Sequence, residues 1–116
     1  MKKGYRIGID LGGTHIAAGL ADPARRLADR LSVKTNAPRP VAGVAADMAD
    51  LVRALLERNR LTRADILSVG VGVPGTANEA NGHIEDADNL GYRDEPFVSV
   101  LEEKLGLPVR FCLLYT

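Results

Sequence analysis

The sequence lacks several features that define common classes of protein. It has one cysteine, Cys112, among 116 residues, so no internal disulfide can form, and this favours a reducing compartment. No apolar stretch approaches the roughly 20 residues of a membrane helix, and the first residues lack the apolar core of a signal peptide. We therefore expect a cytoplasmic protein with no membrane partner.

An excess of one charge is also absent. Fifteen Lys and Arg residues balance 15 Asp and Glu residues, and the formal net charge is zero. Without a net positive field there is no electrostatic reason to expect nucleic acid as a partner. The hydrophobic content of 46% and the charged content of 26% are ordinary for a globular chain, and the length suits one domain with its own core.

The hydrophobic pattern predicts seven elements. Alternating or apolar runs at 5–11, 14–22 and 27–35 are separated by short turns, which is typical of an antiparallel meander. A stripe with helical spacing follows at 41–59, then a buried strand at 66–73, a short helix at 97–105 and a last strand at 107–113. Residues 74–94 are expected to form a long loop, and loops of that length are usually functional.

The predicted order is therefore β-β-β-α-β-α-β, an α/β fold. Three antiparallel strands come first, and helical crossovers then add further strands. This arrangement gives a five-stranded mixed sheet.

The first candidate site is Asp10-Leu11-Gly12-Gly13-Thr14, in the hairpin between the first two strands. Glycines allow the backbone to approach an anion closely, and successive amides can form an anion-binding concavity. Thr14 adds a hydroxyl donor, and the Asp10 carboxylate could hold Mg²⁺ through water beside bound phosphates. The alternative is a plain glycine hairpin in which Asp10 only favours the turn.

The second candidate is a G-x-G-x-x-G pattern at residues 70–75, with Asp94 about 20 residues further on. A dinucleotide site needs those glycines to open a helix after a strand, whereas here two of them fall inside the apolar run. A P-loop sequence is absent. Residues 86–91 resemble the start of a calcium loop, but Leu90 occupies a ligand position and Phe97 stands where the bidentate glutamate should be. His83, Glu85 and Asp86 are better explained as a solvated acidic loop than as a metal site.

Four motifs together resemble the ROK family of repressors and sugar kinases, to which bacterial glucokinases belong. They are IGIDLGGT, GVGVPG, DNLGY and GLPVRF, in the family's order and at about its spacing. The resemblance implies a lobe of the actin-like ATPase (ribonuclease H-like) fold. Lobes of that superfamily begin with the same order of strands and helices as the one predicted above.

The resemblance also implies a function. It is the ATP-dependent phosphorylation of a hexose, with glucose to glucose 6-phosphate as the expected reaction and ATP and Mg²⁺ as cofactors. Asp10, Gly12, Gly13 and Thr14 fall on the family's phosphate-binding hairpin, with Asp10 as the metal residue. Gly75 and Asn89 fall on the pocket that binds the sugar.

The sequence departs from the family pattern at three places. Ala77-Asn78 replaces a usual Val-Asp, and Asp88 replaces a usual proline. After Gly-Leu-Pro-Val the family continues with Glu-Asn-Asp-Ala-Asn, whose aspartate is the general base, whereas this chain has Arg110 and then FCLLYT. We therefore expect residues 1–110 to form the N-terminal lobe and residues 111–116 an atypical tail. The second lobe, with its zinc motif and adenosine site, is expected to be absent.

Two alternatives to a kinase stay open. ROK repressors carry a helix-turn-helix domain before this lobe, for which the first strand at residue 5 leaves no room, and an intact DLGGT favours phosphate binding. The other alternative is a folded lobe without activity of its own. The 116-residue polypeptide is expected to be inactive by itself and to associate with its own copies through the last strand or an uncovered face.

Overall fold

The computed structural model describes residues 4–78, 80–87 and 91–111. The elements in chain order are strands β1 (Tyr5–Leu11), β2 (His15–Ala21) and β3 (Leu27–Lys34), helix α1 (Val41–Arg58), strands β4 (Ile66–Gly72), β5 (Thr76–Asn78), β6 (His83–Ala87) and β7 (Tyr92–Glu95), helix α2 (Phe97–Leu105) and strand β8 (Val109–Phe111). A single 3-10 turn, Arg63–Asp65, leads into β4.

Five of these strands form one mixed sheet in the order β3-β2-β1-β4-β8. The first three pair antiparallel, whereas β4 pairs parallel to β1 and β8 parallel to β4. The predicted mixed five-stranded sheet is therefore confirmed. Because β1, β4 and β8 run in one direction, the residues that follow β1 and β4 emerge at the same edge.

The helices cover one face of this sheet, named here the covered face. Side chains of alternate strand residues are buried there, and α1 and α2 also pack against each other. The rings of Phe97 on α2 and Phe111 on β8 stack with centroids 6.3 Å apart. The strand residues of this face include Ile7, Ile9, Leu11, Ile16, Ala18, Leu20, Val69, Val71 and Val109.

Each helix has the pattern and the ends that its sequence indicates. The buried residues of α1 repeat at helical spacing, including Val44, Met48 and Leu55. The Asn59 side chain donates to the Leu55 carbonyl at 2.7 Å, which satisfies one of the last carbonyls of α1. Helix α2 ends at Gly106 in the left-handed conformation, as its sequence predicts.

The segment at 74–94 differs from its prediction. Instead of one long loop, the described part contains a second, antiparallel sheet in the order β5-β6-β7. These strands have only three to five residues, too short to show an alternation in the sequence. Ile84, Ala87 and Tyr92 are buried in the common core, so this small sheet belongs to the same packed unit.

Within the described residues, neither helix is long and apolar enough to cross a membrane. The predicted strand at 107–113 is seen at Val109–Phe111. Leu107 and Pro108 precede this strand rather than belonging to it, and Cys112 and Leu113 lie outside the described residues.

Candidate functional site

The β1–β2 hairpin lies at the edge where β1 and β4 end. Leu11 and Ile16 are its last paired strand residues, and the Gly12 N–H donates to the His15 carbonyl at 2.9 Å. A Cβ on Gly12 would lie 2.9 Å from that carbonyl oxygen, closer than real side chains approach. Only glycine therefore fits at position 12 without a steric clash. Gly13 and Thr14 form the tip of the turn.

Thr35, which follows β3, binds this hairpin through two hydrogen bonds. It is fully buried and is the one buried polar residue among those described. Its hydroxyl donates to the Gly12 carbonyl at 2.7 Å, and its N–H donates to the Thr14 carbonyl at 2.8 Å. Thr35 therefore binds the Gly12 and Thr14 carbonyls of the turn.

The donors of the turn remain available. Among the described residues, none accepts a hydrogen bond from the N–H of Gly13 or Thr14. The Thr14 side chain is exposed, and its hydroxyl lies 3.2 Å from His15 Nδ1. Successive amides without an internal acceptor, beside a hydroxyl, form the kind of concavity that binds anionic oxygens.

Asp10 lies on the other face of the sheet, named here the open face. The open face consists of the strand residues that alternate with the covered ones. Asp10 pairs in register with Ala17 on β2 and with Gly72 on β4, so small residues flank it on both sides. Its carboxylate is exposed, and no described residue bonds to it.

This carboxylate fits a weakly held Mg²⁺ better than a protein-made metal cage. The described part of the chain contains no cluster of three or more His, Cys, Asp or Glu side chains that could hold a metal. Mg²⁺ is commonly bound through one or two carboxylates together with water and substrate phosphates. A single exposed carboxylate on the strand that leads into a hairpin with free amide donors meets that description.

Gly75 reaches the same edge from β4. Because Gly72 is paired with Asp10, the turn that follows β4 emerges beside the β1–β2 hairpin. Gly75 is exposed and has a φ of +76°, a left-handed conformation that glycine adopts without strain. The structure thus brings the predicted phosphate residues and Gly75 to one edge. The other predicted sugar residue, Asn89, lies outside the described residues.

The G-x-G-x-x-G pattern does not form a dinucleotide site. Gly70 and Gly72 lie inside β4, and the residues after Gly75 form strand β5 rather than a helix. Asp94, the acidic residue of that pattern, instead pairs with His83, whose Nδ1 lies 2.7 Å from its carboxylate. The sequence argument against a dinucleotide fold is therefore confirmed.

Thr35 is the site residue that sequence reasoning missed. The sequence places it at the end of the third strand, with no sign that it is buried. The strand register supplies the signal, since Lys34 pairs with His15 and Thr35 therefore comes opposite Thr14. Only once the pairing of β2 and β3 is known does its hydroxyl fall under the hairpin.

Two carboxylates outside the site have clear electrostatic environments. Backbone hydrogen bonding from Arg26 lowers the pKa of Asp22, in the turn between β2 and β3. A hydrogen bond from the Asn59 side chain lowers the pKa of Asp29 on β3. Both carboxylates stabilise turns and packing and lie outside the hairpin, so they belong to the scaffold.

Comparisons with known proteins agree with this geometry. The ROK family profile matches residues 6–112. A glucokinase of Halalkalibacterium halodurans is 31% identical over 109 residues, which are 94% of this chain and 33% of that protein. The transcriptional regulator Rv0485 of Mycobacterium tuberculosis is 38% identical over 104 residues, 89% of this chain and 23% of that protein.

A solved structure is similar along the same length. It is a ROK family glucokinase from Streptomyces griseus in complex with glucose and AMPPNP, with a TM-score of 0.79 and 31% identity. The match covers 93% of this chain and 32% of that one. This chain therefore spans about a third of the length of the glucokinases it matches.

A five-stranded mixed sheet covered by helices, with a glycine hairpin at the edge where its parallel strands end, defines a lobe of the actin-like ATPase fold. Within that class the family is shown by the profile match over most of the chain. The chain belongs to the ROK family, in which both sugar kinases and transcriptional regulators are relatives.

Proposed function

We propose that this chain is the N-terminal lobe, residues 1–110, of an ATP-dependent hexose kinase that converts glucose to glucose 6-phosphate. The similarity to glucokinases along nearly the whole chain supports this function, as does the similarity to a glucokinase structure that contains glucose and an ATP analogue. Because the chain spans a third of those proteins, the activity belongs to a longer protein of this type.

The observation that carries the proposal is the hairpin anchored by Thr35. With the carbonyls of Gly12 and Thr14 bound by Thr35, the N–H groups of Gly13 and Thr14 are left as donors. In the proposed reaction these amides and the Thr14 hydroxyl bind phosphate oxygens of ATP. Phosphoryl transfer depends mainly on positioning and charge stabilisation, so fixed backbone donors are suitable catalytic groups.

Asp10 is the residue that would hold Mg²⁺, through water, next to those phosphates. The metal supplies charge neutralisation during the transfer. The carboxylate is exposed and flanked by Ala17 and Gly72, so hydrated metal and phosphate have room there. Its lack of a protein partner among the described residues leaves it available for this role.

The sugar would bind at the edge that Gly75 reaches, with its reactive hydroxyl toward the hairpin, and Asn89, outside the described residues, is proposed as a further sugar ligand. The family's proton-accepting aspartate follows the Gly-Leu-Pro-Val segment, where this chain has the tail 111–116 instead. No described residue is assigned the role of general base. We therefore expect no turnover from the 116-residue polypeptide alone.

A graft tests the proposal. Residues 6–110 would replace the matching part of the H. halodurans glucokinase, so that the remaining two thirds come from that protein. The account predicts ATP-dependent formation of glucose 6-phosphate in a coupled assay. A graft that folds and binds glucose but forms no product with ATP would contradict the kinase assignment, with the parent glucokinase as the positive control.

A second function, sugar-responsive transcriptional regulation, is favoured by one observation. The identity to Rv0485, at 38% over 104 residues, exceeds the 31% to the H. halodurans glucokinase. A regulator needs sugar binding without phosphate transfer. The same graft separates the two functions, since a regulator lobe would bind glucose and leave ATP unhydrolysed.

Besides a small-molecule sugar, we expect a second copy of this chain as a binding partner. Leu27 and Leu67 are large apolar side chains that are 67% and 61% exposed in this chain. Uncovered apolar area tends to find a partner, and we expect the 116-residue polypeptide to self-associate. Light scattering measures this directly, and a monomer at all concentrations tested would contradict it.

A further inference from the structure

Strand β3 lies at one edge of the five-stranded sheet, and its backbone offers hydrogen bonds along the side that faces away from β2. In an antiparallel pair, successive residues turn their N–H and C=O groups alternately toward the partner strand and away from it. The Thr35 N–H donates toward β2, to the Thr14 carbonyl, whereas the Arg30 N–H donates to the side chain of the preceding residue. The even-numbered residues of β3 therefore face the free edge, among them Ser32 and Lys34.

This edge is long and regular enough to take a further strand. Strand β3 has eight residues, Leu27–Lys34, which is longer than the usual five or six. The shift in its pairing with β2 is confined to its start, so residues 29–34 keep a regular alternation. An edge of this kind is a template for the backbone of another chain.

An apolar groove continues the covered face beyond this edge. The groove has a volume of about 380 Å³ and lies between the end of β3 and α1, with a lining of Val33, Lys34, Asn36, Asp47, Asp50, Leu51 and Ala54. Val33 is 39% exposed there. The two carboxylates of the lining are bonded to Arg39 and Arg53, each at 2.6 Å. An apolar side chain entering the groove therefore meets Val33 and Ala54 and no unpaired charge.

The open face beside the same edge is basic. Arg30 and Lys34 are exposed, and among the described residues no carboxylate pairs with either of them. Asp29 lies on the covered face, where it accepts from Arg58 at 3.0 Å. The open-face carboxylate Asp10 is on β1, two strands away. A strand added here would therefore meet two unpaired cations on its open-face side.

The same cations disfavour a second copy of this chain as the added strand. Antiparallel pairing of β3 with the β3 of another copy would bring two Arg30 and two Lys34 side chains onto one face. Like charges on neighbouring strands are destabilising, and lysines on an edge strand are a common protection against self-pairing. The edge is thus closed to a basic strand and open to an acidic one.

We propose that the free edge of β3 binds an extended segment of a partner protein in which acidic and apolar residues alternate. The segment adds a sixth strand to the sheet, with its backbone bonded to the even-numbered residues of β3. Its acidic side chains lie on the open face beside Arg30 and Lys34, and its apolar side chains enter the groove beside Val33 and Ala54. No residue assigned to phosphate, Mg²⁺ or sugar takes part, so the proposal does not depend on the kinase assignment.

The probe is a synthetic peptide of about nine residues, enough to span β3, that alternates Val and Glu and has both ends capped. It is titrated into the ¹⁵N-labelled 116-residue chain and followed by NMR. The Ser32 and Lys34 amides should shift together to saturation and become protected from hydrogen exchange. The Leu31 and Val33 amides, already bonded to β2, should keep the protection they have. A peptide of the same composition, with Val and Glu in two blocks, is the control and should bind about tenfold more weakly.

A change of one backbone group tests the strand pairing itself. Ser32→Pro removes one N–H from the free edge, a position where proline is tolerated. It should weaken binding of the Val-Glu peptide about tenfold, because a peptide carbonyl loses its donor. Ser32→Ala keeps the N–H and is the matched control, with an affinity equal to that of the unaltered chain.

Reversal of the edge charges keeps the test decisive if Ser32→Pro does not fold. The unaltered chain should prefer the Val-Glu peptide to an alternating Val-Lys peptide by about fivefold, as expected for two exposed ion pairs, and less at high salt. The double variant Arg30→Glu with Lys34→Glu should show the opposite preference. Lys104→Glu, on α2, is the charge control and should leave the preference unchanged.

Four results would overturn the proposal. The Val-Glu peptide could leave the spectrum unchanged at the highest concentration used. The Val-Glu and Val-Lys peptides could bind the unaltered chain equally well, which would mean that the cations do not select the partner. The shifts could fall on β8, the other edge strand, instead of β3. The Ser32 and Lys34 amides could become protected without peptide as the chain is concentrated, which would mean that a second copy occupies the edge.

Discussion

The two faces of the five-stranded sheet are built from alternate residues of the same strands, yet they differ in burial and in the size of their side chains. On β1, Ile7, Ile9 and Leu11 enter the core, whereas Gly8 and Asp10 between them are exposed. Across the sheet, Gly8 pairs with Gly19 on one side and with Gly70 on the other. The covered face carries large aliphatic side chains, and the open face carries almost none.

The comparison separates stability from access to the site. The covered face buries the apolar area that holds the helices to the sheet, which is the dominant stabilising contribution. The open face contributes little to stability in this chain, but it leaves the Asp10 carboxylate and the edge beside the hairpin accessible. Residues that matter for the fold and residues that matter for the proposed reaction therefore alternate along β1.

The largest effect on stability is expected from truncation of Phe97, which lies on α2 and packs against the covered face. This ring is fully buried and stacks on Phe111, so Phe97→Ala should lower the free energy of unfolding by about 3–5 kcal/mol. Urea denaturation of the purified chain measures it. The open-face control is Gly8→Ala, whose new Cβ meets nothing within 4 Å and should stabilise by about 0.5–1 kcal/mol. A loss of stability in both variants would contradict the difference between the faces.

A smaller loss of stability is expected at Thr35, which connects the end of β3 to the glycine hairpin. Thr35→Val keeps the shape of the side chain but leaves the buried Gly12 carbonyl without its 2.7 Å hydrogen bond. The expected cost is about 1–3 kcal/mol in urea denaturation. Thr35→Ser retains the hydroxyl and is the matched control. Equal stability of the valine and serine variants would show that this bond does not hold the hairpin.

The smallest effect on stability is expected at β3, the strand at one edge of the five-stranded sheet. Asp29 accepts hydrogen bonds from Arg58 and Asn59 at the end of α1, each at 3.0 Å. Its pKa is lowered from the ordinary 3.8, chiefly by the Asn59 bond. The stability it provides is therefore fully present above pH 3.8 and is lost as the pH falls through its lower folded pKa.

Asp29→Asn should remove that part of the acid dependence in thermal unfolding followed across pH. The control is Asp50→Asn, an exposed carboxylate on α1 that pairs with Arg53. An acid limb that is unchanged in the Asp29 variant, or equally changed in both, would mean that the contact between β3 and α1 does not depend on this carboxylate.

The sequence was sufficient to predict the covered face. Period-two alternation in β1 and β2 and the helical stripe of α1 all point their apolar side chains to one side. On β3 the alternation does not hold at the first residue, Leu27, although it has the same parity in the sequence as Leu31 and Val33. A register shift between Leu20 and Ala21 moves Leu27 to the open face, where it lies near Gly19. A bulge of this kind leaves no mark in the spacing.

The remaining features depend on contacts between distant segments. The hairpin could be found from its own glycines, but Thr35 enters the site only through the pairing of β2 and β3. Local propensity carries no information on such a contact, so Thr35 was not among the predicted site residues.

The most direct test of the proposed role of the open face is Asp10→Asn in the graft with the H. halodurans glucokinase. Loss of the carboxylate should lower ATP-dependent glucose phosphorylation by about 10²-fold or more. The affinity for glucose should stay the same, because Asp10 is assigned to the metal and phosphates. Asp50→Asn in the same graft controls for the loss of one charge. Turnover of the Asp10 variant equal to that of the unaltered graft would contradict the account.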